Sequence, residues 1–378
     1  MIFKNTSLTP EQFLADYWQK KPLLIRQALP GFSPELDSND IAGLACDELA
    51  ESRLITGSFP EQDWLVRYGP FTDKDFSTLP EARWTLLVQD VEKHYPPLQK
   101  LISRFSFLPR WRIDDLMVSV AGPGGSVGPH VDQYDVFLLQ AEGSRRWEIS
   151  QSFDAALLED CELKVLRHFS AEQEWLLEPG DILYLPPGVA HHGVAQDTCM
   201  TWSIGMRAPS GADFFLALGE WLAEKDDEGG RYRDPGLSPP MHAGEVDKAA
   251  ITRFGDFLHA PFEEDPDFRS FLGTFLSRYR LAHEPAPPES PLKPAALVKA
   301  LDRGETLRHN PWTRLLWIAD GEGARVFAAG SEYSCAVEFA RTLCDPERLC
   351  RVDCSVPDTE MALLCELLNR GHLYLEQL

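Results

Sequence analysis

The sequence predicts an α+β protein: a small β-barrel with helices before it, then a helical region, then a C-terminal module of winged-helix type. Three observations predict this. From about residue 110 to 208, short apolar strands are broken by Gly, Pro and Asp, the signature of a barrel or sandwich. After Pro209 the apolar residues recur at i, i+3, i+4 and i+7, the helical period. Residues 283–294 carry five prolines and read as a semi-rigid linker. A length of 378 residues leaves room for two or three domains with ample core. Boundaries are drawn at 1–208, 209–282 and 283–378.

In chain order, Thr9 as N-cap, Pro10 at the first helical position and Gln12 closing a capping box predict a helix over 9–20. Phe13, Leu14, Tyr17 and Trp18 form its apolar stripe, and residues 22–25 follow as a strand. Strands are expected at 116–120, 135–140, 146–149 and 182–185. Phe214, Phe215, Leu218, Trp221 and Leu222 fit one helix face; Phe268, Phe271, Leu272, Phe275, Leu276 and Tyr279 fit another. Stripes this rich in aromatics are either core or a dimer surface. Past the linker come a short helix, a hairpin around Asp320-Gly321-Glu322-Gly323, helices over 333–344 and 358–369, and a last strand at 372–375. Helices with a two-stranded wing make a winged helix. From residue 283 onward 15 acidic residues face 10 basic ones, so this wing is not expected to grip DNA.

The formal net charge of −23 repels phosphate backbones and argues against nucleic acid as the main partner. Such a surface either steers a basic polypeptide towards a cleft or only keeps the protein soluble. The first residues, M-I-F-K-N-T-S-L-T-P-E-Q, lack the order of a secretory signal, and no apolar run approaches the roughly 20 residues that span a bilayer. A cytoplasmic protein with no membrane partner is expected. The eight cysteines form no C-x-x-C and read as reduced thiols.

Two segments carry chemistry. The first is G-P-H-V-D-Q-Y-D-V-F, residues 128–137. Strand residues i and i+2 share a face, so His130 and Asp132 can point together into a barrel. The second is E-P-G-D-I-L-Y-L-P-P-G-V-A-H-H-G, residues 178–193, where Gly180, Pro186, Gly188 and His191 reproduce the second cupin motif, G-x5-P-x-G-x2-H. Counted from Gly124, the first segment follows the first cupin motif, G-x5-H-x-H, with Asp132 in place of its second histidine. Two histidines and one carboxylate leave three octahedral positions open, the arrangement of non-haem Fe(II) oxygenases. A single histidine would more often be core; two in matching motifs and in order point to metal. His192 competes with His191, but the motif count favours His191.

Open metal positions call for a cosubstrate, which in barrel oxygenases is 2-oxoglutarate, and its far carboxylate needs a cation. Arg145 and Arg146 alternate on a strand, so one of them faces in; the pattern alone does not choose. The glycine-rich run 122–128 lacks a following Lys-Ser/Thr and a helix, and so is not a phosphate loop.

F-L-A-D-Y-W-Q-K-K-P-L-L-I-R, W-R-I-D-D-L-M-V-S-V, G-P-H-V-D-Q-Y-D-V-F, G-S-R-R-W and L-Y-L-P-P-G-V-A-H-H-G resemble the bacterial JmjC-type ribosomal oxygenases. The resemblance continues through W-S-I-G-M-R-A-P and covers essentially the whole chain. It implies a JmjC/cupin double-stranded β-helix, a helical dimerisation region and a winged-helix domain. It also implies that His130, Asp132 and His191 bind Fe(II), and that Arg145 holds 2-oxoglutarate where many relatives use lysine. Asp115 and Tyr134 would receive the substrate guanidinium, since a desolvated arginine needs an opposite charge. Thr201 and Ser203, on the strand after His191, would line the cosubstrate pocket, although relatives often carry an asparagine near Thr201.

By the same resemblance, the activity is hydroxylation, with O2 and 2-oxoglutarate, of an arginine β-carbon in large-ribosomal-subunit protein sixteen, by a homodimer. Two alternatives differ in kind. One is a histidyl hydroxylase or demethylase on the same fold. The other is a non-catalytic cupin-like binding protein.

Overall fold

The structure is a computed structural model that describes residues 2–224, 248–259, 266–279, 281 and 283–376. The chain divides into two compact units, Met1–Ala208 and Pro209–Leu378.

In the first unit, helices α1 (Pro10–Asp16), α2 (Ser38–Leu44), α3 (Asp73–Ser77), α4 (Val91–His94) and α5 (Gln99–Ile102) accompany twelve strands. These are β1 (Leu23–Ile25), β2 (Ser52–Thr56), β3 (Leu65–Tyr68), β4 (Trp84–Val88), β5 (Ile113–Ala121), β6 (His130–Val131), β7 (Val136–Glu142), β8 (Arg145–Ser150), β9 (Gln173–Leu177), β10 (Ile182–Leu185), β11 (Ala190–Ala195) and β12 (Cys199–Met206). They form an eight-stranded sheet, β1-β10-β7-β12-β5-β4-β2-β3, and a four-stranded sheet, β6-β11-β8-β9.

Period-two alternation builds both faces of the large sheet. Phe137, Leu139, Ile182, Tyr184, Trp202 and Ile204 face one way, into a core shared with Phe13 of α1 and the other N-terminal helices. Val136, Leu138, Leu183 and Leu185 face the other way and meet Trp147, Ile149 and Leu177 of the small sheet. That second contact is the barrel interior.

The predicted capping box on Thr9 and Gln12 is present, but α1 stops at Asp16 rather than 20. Gln19 adopts φ +56°, turning the chain so that its backbone N–H reaches Tyr184 Oη and its side chain reaches Asp135. A tertiary hydrogen-bond node thus overrides a local helical pattern.

The second unit holds α6 (Gly211–Glu224), α7 (Lys248–His259), α8 (Pro266–Arg278), α9 (Pro294–Asp302), β13 (Thr306–His309), β14 (Leu315–Asp320), β15 (Gly323–Ala328), β16 (Ser331–Ala336), α10 (Val337–Leu343), α11 (Pro346–Leu349), α12 (Asp358–Asn369) and β17 (Leu373–Glu376). Residues 225–247 and 260–265 of the expected helical region lie outside the described residues. The hairpin at Asp320–Gly323 is present, but the wing has three strands. The helix expected from 333 begins at Val337, because 331–336 alternate buried Tyr333 with exposed Glu332 and Ser334 and pair with β15.

Helix α8 packs on this wing: Gly273 lies against the Phe327 ring, and Ser277 Oγ accepts from Gly330 N at 2.9 Å. Arg314 donates to the Leu276 and Tyr279 carbonyls. The 282/283 boundary drawn from the proline run therefore falls after a helix that shares the wing's packing.

Candidate active site

Strands β6 and β11 pair antiparallel, with His191 directly across from His130. Glycine turns set both up. Gly128 (φ +80°) precedes β6 and Gly188 (φ +79°) precedes β11. A Cβ on Gly128 would lie 2.8 Å from Val165, so this turn tolerates no side chain. The Gly188 N–H then donates to the Asp132 carbonyl at 2.8 Å, tying the two turns together.

His130 Nε2 lies 3.9 Å from one Asp132 oxygen and His191 Nε2 lies 3.6 Å from the other. The candidate ligand atoms of His130, Asp132 and His191 all fall within 4.8 Å of one another, a spacing that one ion can bridge. The second ring nitrogens explain the orientation. His130 Nδ1 lies 2.9 Å from the Gly128 carbonyl, and His191 Nδ1 lies 3.0 Å from that of Val189. A carbonyl only accepts, so both Nδ1 atoms carry the proton and both Nε2 lone pairs face Asp132. Burial, with the His130 ring beside it, pushes the pKa of His191 down to about 4, which keeps that lone pair available near neutral pH.

The three residues line a cavity of about 410 Å³ in the barrel. Arg145, Thr201, Ser203, Asp115 and Tyr134 line it too. Between the two arginines the structure decides. Arg145 is 3% exposed and inside, with its guanidinium 3.7 Å from Cys199 Sγ and 5.9 Å from the Trp147 ring. Its Nε has no hydrogen-bond partner, and no carboxylate of the described residues pairs with it. Arg146 faces out and pairs with Glu148 and Glu174. His192 also points away, donating or accepting with Glu148 at 3.0 Å between Phe59 and Phe169.

Thr201 Oγ donates to Gln140 Oε1 at 3.0 Å, a bond that holds it in the wall. Asp115 shares the cavity-facing side of β5 with Met117 and Ser119. A Cβ on Gly205 would come within 2.9 Å of Asp115 Oδ1, so the carboxylate leans over β12 where that strand has no side chain. Burial and the neighbouring Glu92, Asp114 and Asp90 raise the Asp115 pKa well above the usual carboxylate range. Burial chiefly, then Asp132 and Asp115, raises that of Tyr134.

The sequence did not single out Arg53, Gln89, Glu162 and Lys164, which line the same cavity, nor the buried Glu92 behind Asp115. These residues come from β2, from the segment around α4 and from the loop after β8. Only the fold brings them to the barrel, and a lone charged residue in a loop carries no spacing signal.

A chain that holds two imidazole Nε2 atoms, one carboxylate and an unpaired buried guanidinium in one barrel is built for a metal and a dianionic cosubstrate. Comparison with known proteins agrees. A model described as JmjC domain matches residues 100–214, and one described as ROXA-like winged helix matches 260–374. The chain is 33% identical to the ribosomal protein uL16 3-hydroxylase of Escherichia coli over 96% of its own length and 97% of that protein. It is 43% identical to a probable ribosomal oxygenase of Haemophilus influenzae over 58% of its own length and 54% of that protein. The solved structure of YcfD, a ribosomal oxygenase from E. coli, superposes with TM-score 0.82 over 98% of this chain and 99% of that one, at 33% identity. A second YcfD structure, in complex with cobalt and 2-oxoglutarate, gives TM-score 0.82 at 32% identity. With that identity along nearly its full length, and a matching barrel and winged helix, the chain belongs to the JmjC-domain ribosomal oxygenases.

Proposed function

We propose that this protein is an Fe(II)- and 2-oxoglutarate-dependent hydroxylase acting on an arginine of ribosomal protein uL16, at its β-carbon (C3). One observation carries the reading: a His-Asp-His set with both imidazoles locked in the metal-binding tautomer shares a cavity with the unpaired buried Arg145. The residues fit the group. His130, Asp132 and His191 would hold Fe(II), and Arg145 would hold the far carboxylate of 2-oxoglutarate.

Bound together, Fe(II) and 2-oxoglutarate supply the oxidising chemistry, in which one atom of O2 enters succinate with loss of CO2 and the other enters a substrate C–H bond. The chain's own residues aim that reaction. Arg145 would hold the cosubstrate's far carboxylate, for which a guanidinium fork is suited. Thr201 and Ser203, which line the same cavity, would border the cosubstrate. Asp115 and Tyr134 receive the guanidinium, placing the β-carbon near the metal; a misplacement of about 1 Å can cost about a hundredfold in rate. The net charge of −23 favours approach of a basic ribosomal protein.

A homodimer formed through the helical region is part of this reading. Phe215 and Leu216 of α6, 62% and 70% exposed, would lie in that interface. The wing's excess of acidic residues supports no role for DNA, and a ribosomal protein substrate goes with a cytoplasmic location. No helix among the described residues is long and apolar enough to cross a membrane.

The test is mass spectrometry of uL16 after incubation with the enzyme, Fe(II) and 2-oxoglutarate in air. A gain of one oxygen on an arginine, absent without 2-oxoglutarate and absent with Asp132→Ala, is expected. Oxygen on a histidine, or loss of a methyl group, would move the assignment to the hydroxylase or demethylase alternative. No product and no 2-oxoglutarate consumption by metal-loaded enzyme would favour a non-catalytic binding protein.

A further inference from the structure

Behind the cavity wall sits a carboxylate that the proposed reaction does not use. Glu92 on α4 is only 4% exposed, and its Oε2 accepts a hydrogen bond from the Leu116 N–H at 2.9 Å. The place of that bond is informative. Strand β4 pairs with β5 from Thr85↔Ala121 to Val88↔Val118 and then ends. On the other side the register between β12 and β5 shifts between Ile204 and Met206. The stretch of β5 around Leu116 has therefore lost its β4 ladder where the β12 ladder is also irregular, and Glu92 supplies the missing acceptor. A buried backbone N–H left without a partner is costly, so this contact is a strong constraint.

Asp115 is the residue next to Leu116, and its carboxylate lies over Gly205 at the cavity. We propose that Glu92 is a positioning residue for substrate recognition: by holding the β5 backbone at Leu116 it aims the Asp115 carboxylate at a cationic substrate side chain. The inference rests on the reading of Asp115 as the guanidinium partner.

The site's electrostatics agree. The charged groups acting on Asp115 are Glu92, Asp114 and Asp90, with Lys93 opposing them, and Tyr134 lines the same cavity. Lys93 pairs with Asp90 and Asp114 with the buried Arg207, while Arg53 and Lys164 line the same cavity as Asp115. Glu92 and Asp115 are left as two carboxyls in one low-dielectric wall, and a guanidinium relieves their repulsion. A neutral side chain of the same shape does not.

The probe is a fluorescein-labelled uL16 peptide with one central arginine, and its citrulline counterpart, binding to the full-length, metal- and 2-oxoglutarate-loaded enzyme without oxygen. Glu92→Gln keeps an acceptor for Leu116 but removes the charge, while Glu92→Ala removes both. Glu92→Ala is expected to weaken arginine-peptide binding about tenfold or more, with 2-oxoglutarate and metal affinity unchanged, and to erase most of the preference over citrulline. Glu92→Gln is expected to bind the arginine peptide normally near neutral pH.

A Glu92→Gln that loses arginine-peptide binding as Glu92→Ala does would overturn the proposal, as would a folded Glu92→Ala with parental affinity for the arginine peptide. If Glu92→Ala does not fold, Glu92→Gln decides alone: parental binding supports the backbone hold, and a tenfold loss overturns it. Asp115→Asn separates the two levels: parental arginine binding in that variant means the reading of Asp115 itself has failed.

Discussion

Replacing Arg145 with methionine isolates what its guanidinium does, because the side chain is buried, similar in length and free of any carboxylate partner among the described residues. A buried ion pair that loses one member typically costs about 3–5 kcal/mol. At about 1.4 kcal/mol per tenfold, the Kd for 2-oxoglutarate should rise about 150- to 5000-fold. The same loss appears as missing ligand stabilisation. At a concentration about 100 times its Kd, 2-oxoglutarate stabilises the parent by about 2.7 kcal/mol; in the variant the gain drops below about 0.3 kcal/mol.

Metal affinity should not change, since His130, Asp132 and His191 are untouched. Nor should the stability of the ligand-free protein fall by several kcal/mol. Arg145 gives it only a thiol contact at 3.7 Å and a face on Trp147, and methionine fills similar space. Calorimetric titration with 2-oxoglutarate, with manganese in place of iron, and denaturant melts of the ligand-free protein read the three quantities. Parental 2-oxoglutarate affinity would refute the assignment. So would a variant that folds poorly, which would make Arg145 a structural tie.

Two further outcomes follow from the same geometry. Gly193→Ala would set a Cβ 2.7 Å from two ring carbons of Trp147, the neighbour of His191. The overpacking should cost about 1–3 kcal/mol, seen as a lower Tm, and weaken 2-oxoglutarate binding as the indole shifts against Arg145; an unchanged Tm would contradict the packing. In the second unit, burial holds the His372 pKa down to about 4 from its ordinary 6.5. The unfolded chain therefore takes up that proton first as pH falls. The contribution, on the order of 3 kcal/mol, is fully present above about pH 6.5 and is lost between there and about pH 4. Urea melts of His372→Gln should show a flatter stability slope in that window than the parent, and equal slopes would show that His372 does not carry the effect.

The clustering of His130, Asp132 and His191 was legible in the sequence because its information is local. His130 and Asp132 are two residues apart on one strand, and Gly180, Pro186, Gly188 and His191 occupy fixed places in a turn-strand-turn, so spacing alone implies a shared direction. The strands of the barrel were legible for a similar reason: two-residue alternation says which side chains go in. Local pattern misled where a distant partner outweighed it. Gln19 leaves the helix to reach Asp135 and Tyr184, and residues 331–336 join β15 although helical residues follow them at once.

What only the tertiary structure decided concerns groups far apart in sequence or equivalent within it. Arg145 and Arg146 are the same chemistry one residue apart, and pairing of β8 with β11 and β9 determines which of them is enclosed. Glu92 is an ordinary acidic residue in a four-residue helix until the end of β4 leaves a backbone N–H for it to satisfy. Sequence spacing fixes which atoms can point together along one strand. Burial, and the desolvation that makes a charge seek a partner, exist only once the sheets close.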